Sequence, residues 1–62
     1  MDSQEILNKC IEVHPEYLNT DEYKGIQDEY DMGLITHEEC CNQHIDAMVR
    51  LYGTITFNTS PQ

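Results

Sequence analysis

Residues 33–39 read Gly33-Leu34-Ile35-Thr36-His37-Glu38-Glu39, and this stretch decides the fold. Gly33 supplies the left-handed residue on which a helix stops. Three residues later Thr36 opens a capping box. Its hydroxyl serves the amide of Glu39, and the Glu39 carboxylate reaches back to the amide of Thr36. One helix ends and another begins within a single short turn, so the chain contains a helical hairpin.

Downstream of the box, the spacing predicts a helix over 37–52 with Cys41, Ile45, Met48, Leu51 and Tyr52 on its apolar face. Gly53 is its natural stop. The tail 54–62, TITFNTSPQ, alternates weakly at Ile55 and Phe57 and then turns polar, which suits a short extended arm or disorder. Upstream, Thr20 is an N-cap for a helix over 21–32, with Asp21 and Glu22 well placed for its dipole. Tyr23, Ile26 and Tyr30 share one side of that helix. Gly25 weakens it by about 1 kcal/mol relative to alanine. A first helix over 3–13 is capped by Asp2 and groups Ile6, Leu7, Cys10, Ile11, Val13 and His14. Pro15 stops it, since the residue before a proline avoids the helical region. Pro15 also suits the first position of a short turn carrying Tyr17 and Leu18. The expected fold is all-α: a three-helix mini-domain over 1–53, followed by the tail.

The segment from Ile26 to Arg50 resembles the short helical-hairpin module called SHOCT, in which a helix ends in a GLIT-x-E-E turn and a second helix follows. The matching residues are Gly33, Leu34, Ile35, Thr36, Glu38 and Glu39. The resemblance implies a hairpin with a buried Leu34–Ile35 staple and a role in interaction or assembly. This chain departs from the pattern in lacking a lysine-rich second helix and in carrying a cysteine–histidine cluster.

Twelve carboxylates face three basic residues, a formal charge of −9. The excess is concentrated: from Glu16 to Glu39 the acids are Glu16, Asp21, Glu22, Asp28, Glu29, Asp31, Glu38 and Glu39, against Lys24 alone. Direct nucleic-acid binding is disfavoured, because contact with phosphates needs a cationic surface. An anionic membrane is disfavoured for the same reason, and no segment is apolar enough to span one. No secretory leader is visible, so the expected compartment is the cytoplasm. There the three cysteines stay reduced. A chain this short buries only about 60% of its unfolded surface and gains from a metal or a second subunit. It has little length left to support a catalytic site, and no enzyme is expected.

The cluster HEECCNQH, residues 37–44, places His37 four residues from Cys41 and Cys40 four from His44. Cys10 and His14 form a third such pair. Two pairs from packed helices would make a Cys2His2 set suited to structural zinc. The competing reading is packing, because free cysteine behaves as a small buried hydrophobe, and no Cys-x-x-Cys knuckle is present. We adopt packing, with no cofactor. A thiol nucleophile at Cys40 would lack oxyanion donors in mid-helix and would be opposed by Glu38 and Glu39.

These features point to a small acidic interaction protein that docks on a basic surface of a partner protein. A nucleic-acid-handling protein is the natural target, with carboxylates standing in for phosphates. The docking set is Asp21, Glu22, Asp28, Glu29, Asp31 and Glu38, with Tyr17 as an aromatic contact from the connection. By analogy, such proteins include virus- or mobile-element-encoded inhibitors of host machinery. Two alternatives are a helical self-assembly module, a homodimer in its simplest form, and a zinc-stabilised mini-domain.

Overall fold

A computed structural model describes residues 2–53 of the chain. The tail 54–62, with the Ile55–Phe57 alternation, lies outside the described residues. Three α-helices follow in order: α1 over Ser3–Val13, α2 over Asp21–Asp31 and α3 over His37–Tyr52, with a 3₁₀ turn at Pro15–Asn19 between the first two. No strand occurs among the described residues. No helix there is long and apolar enough to cross a membrane.

Each helix starts on a side-chain cap. Asp2 accepts from the amide of Glu5 at 2.9 Å, Thr20 from that of Tyr23 at 3.2 Å, and Thr36 from that of Glu39 at 3.1 Å. The Glu39 carboxylate accepts in return from the Thr36 amide at 2.8 Å, completing the capping box. At the end of α2, Gly33 has φ +79°. The Leu34 amide donates to the Glu29 carbonyl and the Gly33 amide to that of Tyr30, which is a Schellman closure.

α1 and α2 both pack on α3 rather than on each other. The core joins Leu7 and Cys10 of α1, Tyr17 of the 3₁₀ turn, and Cys41, Ala47 and Met48 of α3. Ile6, Ile11, Tyr23, Ile26, Ile45 and Tyr52 close around it, partly buried.

Three expectations need correction. The buried side of α3 is wider than its apolar stripe and is centred on His44, with Cys40 and Ala47 also inside. The reason is that α3 serves two helices: Cys41 meets Gln4 of α1, and Ala47 lies with Gly25 and Ile26 of α2. Leu51 stays 44% exposed; the last turn of α3 is covered on its Tyr52 side, where the His14 ring stacks at 4.1 Å. Leu34 is not part of a buried staple but is 68% exposed. The residue it would pack against in a Schellman motif is Glu29, which gives it no apolar partner.

Candidate functional site

Asp21, Glu22, Asp28, Glu29 and Asp31 all lie exposed on α2, and Glu38 is exposed in the first turn of α3. Tyr23, Ile26, Gln27 and Tyr30 take the inner side of α2, so the 100° step per residue sends the acids outward. Among the described residues Asp46 and Arg50 form an ion pair at 3.4 Å, and His14 Nδ1 meets Glu16 Oε2 at 3.1 Å. None of the six docking carboxylates belongs to either.

Tyr17 is not on this surface. It is fully buried, and its hydroxyl donates to His44 Nδ1 at 2.8 Å. It therefore offers nothing to a partner, and its role as a contact is withdrawn. The 3₁₀ turn opened by Pro15 points this ring inward, because a large aromatic is the best filler for a thin core.

His44 Nε2–H in turn faces Gln27 Oε1 at 3.4 Å, which assigns the Nε2–H tautomer. The Tyr23 ring stacks on His44 at 4.9 Å, and Tyr17 meets both rings edge-on. No buried side-chain nitrogen or oxygen among the described residues lacks a partner. This node ties the 3₁₀ turn, α2 and α3 together. Burial lowers the His44 pKa, so the ring is held neutral. Burial, then the nearby charge of Glu22, pushes the Tyr17 phenol up to about 12.

The cysteine–histidine pairs go separate ways. His14 stacks on Tyr52 and bonds Glu16 Oε2 at 3.1 Å, and Cys10 sits in the core. Both nitrogens of His44 are engaged in the node, so Cys40 has no free imidazole partner there. His37 and Cys41 do meet, with Nε2 and Sγ 3.8 Å apart. Among the described residues no three side chains of Cys, His, Asp or Glu converge as a metal-holding group. The Cys2His2 set is thus not assembled. Burial and neighbouring charge raise the Cys40 and Cys41 thiols, with Cys41 and then Asp31 acting on the first and Asp2 and Glu38 on the second.

Because α1 and α2 leave a gap over α3, an open groove of about 230 Å³ runs between them, walled by Leu7 and Ile11 on one side and Tyr23 and Tyr30 on the other. Sequence reasoning passed over Gln4 and Gln27, which bond the histidines. Gln27 had a signal: it stands four after Tyr23 and three before Tyr30, on the same stripe. No family model, curated protein or solved structure matches the chain.

Proposed function

We propose that this chain is a small, non-catalytic interaction protein whose acidic α2 face docks on a basic surface of a partner, in place of nucleic acid. The observation that carries the reading is the outer face of α2, whose carboxylates join no ion pair among the described residues. Asp21 to Asp31 spans ten residue steps, about 15 Å at a rise of about 1.5 Å each. Five carboxylates less Lys24 leave four net charges there, or one per about 4 Å, close to the roughly 3.4 Å per phosphate along one nucleic-acid strand. A groove built to hold phosphates meets a similar line of charge. Long-range attraction between opposite surfaces then speeds association and makes it salt-sensitive.

The test is displacement of a labelled duplex from a panel of basic DNA- and RNA-binding proteins at about 50 and about 200 mM salt. Displacement should weaken with salt. The triple reversal Asp28→Lys, Glu29→Lys, Asp31→Lys should abolish it while leaving the helical circular dichroism unchanged. Displacement that survives the reversal sinks the phosphate-mimic reading.

One observation favours a second reading, helical self-assembly. Met32 and Leu34 stand 66% and 68% exposed at the tip of the α2–α3 hairpin. Association through them would be apolar and insensitive to salt, so sedimentation at low and high salt separates the two readings.

A further inference from the structure

The first two turns of α3 and the first turn of α1 share a polar seam. Ser3 Oγ donates to Asn42 Oδ1 at 2.9 Å. One residue on, Gln4 Oε1 accepts from His37 Nε2–H at 2.9 Å and from the Cys41 thiol at 3.5 Å. The Gln4 amide is oriented by a second bond, its Nε2 donating to Asn8 Oδ1 at 2.9 Å. An imidazole nitrogen, a sulfur and an oriented amide oxygen therefore surround one point. Their edges are 3.8, 3.5 and 2.9 Å. Three ligands at zinc bond lengths of about 2.0–2.3 Å in a tetrahedron would have N–S, S–O and N–O edges of about 3.6, 3.6 and 3.4 Å. Two edges already match, and the third opens when a hydrogen bond is replaced by the ion.

We infer that His37 Nε2, Cys41 Sγ and Gln4 Oε1 form a binding site for one divalent cation of the zinc class. His37, Cys41 and Gln4 line a cavity of about 200 Å³ together with the acidic residues Asp2 and Glu38. That leaves room for a water as fourth ligand, and it is an anionic approach for a cation. Thiolate with imidazole selects zinc over magnesium or calcium. Binding is balanced by protons: the Cys41 thiol proton leaves to solvent, and the His37 proton moves from Nε2 to Nδ1 so that Nε2 offers its lone pair. One proton is released per ion. The Tyr30 ring, edge-on to His37 at 5.9 Å, helps hold the imidazole in place. This site differs from a Cys2His2 set in using neither Cys10 nor His14, and of the docking carboxylates only Glu38 borders it.

The test is titration of the reduced full chain with cobalt(II), followed by competition with zinc. One equivalent should bind and give a thiolate-to-cobalt charge-transfer band that zinc removes. His37→Ala, at an exposed position, should weaken binding at least tenfold with unchanged circular dichroism. Cys41→Ala should abolish the band, and Cys10→Ala and Cys40→Ala should keep it. Gln4→Glu should tighten binding by supplying an anionic oxygen, a gain that loss of structure cannot imitate. Absence of the band in the unaltered chain overturns the site. So does a band that persists in Cys41→Ala, or a Gln4→Glu affinity no higher than the parent's.

Discussion

α3 and α2 are both amphipathic helices, yet α3 buries five side chains and α2 buries none. α3 is packed from two sides and acts as the scaffold. α2 touches the rest through one side only, mainly Tyr23 and Gln27 against His44, and turns its charge to solvent. A helix that repels itself electrostatically and carries Gly25 in its middle needs tertiary support. The Tyr17–His44–Gln27 node provides it. The contrast teaches a division of labour: one helix organises the core, and the other presents a surface.

The strongest way to break this arrangement is through the protons of the node. The Tyr17 phenol has its pKa raised from 10.0 to about 12 in the folded chain. Its contribution is fully present below pH 10 and is lost as pH rises to 12, about 3 kcal/mol over that window. The three thiols, also raised from 9.0, act in the same direction from slightly lower pH. His44 works at the other end. Its folded pKa is lowered from 6.5, so its contribution is complete above that value and is lost as pH falls below it. Urea midpoints measured from pH 5 to 12 should therefore trace a dome. A flat profile would mean that the node is not buried.

Tyr17→Phe removes one hydroxyl, keeps the ring and leaves His44 Nδ1 without its donor. The expected cost is about 2 kcal/mol in urea denaturation, the penalty for a buried polar atom without a partner. A variant as stable as the parent would show that aromatic packing alone holds α2.

Thr36→Ala strikes the scaffold instead. Loss of the cap on α3 should cost about 1 kcal/mol, and since both other helices rest on α3, all helical signal should melt together at a lower temperature. Loss of α2 signal alone would reverse the roles assigned to the two helices.

Gly25→Ala gives the smallest change and the opposite sign. A Cβ built there meets nothing within 4 Å, and the residue does not have positive φ. The variant should be more stable by about 0.8 kcal/mol. A loss of stability would place α2 closer to its neighbours than the contrast with α3 allows.

Helix limits and stops were legible in the sequence. Asp2, Thr20 and Thr36 cap the helices they were expected to cap, and Gly33 ends α2 in the left-handed region. Period alone placed Tyr23, Ile26 and Tyr30 on one side of α2, which is the side the structure turns inward. His44 was less legible, because a histidine on a helix of mixed polarity reads equally well as rim or core. Leu34 misled, because an apolar residue after a helix stop packs only when the third residue from the helix end is also apolar.

The physical reason for this division is range. A cap, a stop and a helix face are settled by residues three or four apart, and the chain carries that information locally. The burial of Tyr17, its bond to a histidine 27 residues away, and the meeting of Gln4 with Cys41 across 37 residues depend on how two helices settle on a third. The sequence by itself determined three capped helices and an acidic face. Only the tertiary structure decided which aromatic ring and which histidine fill a core too thin to be closed by aliphatic side chains.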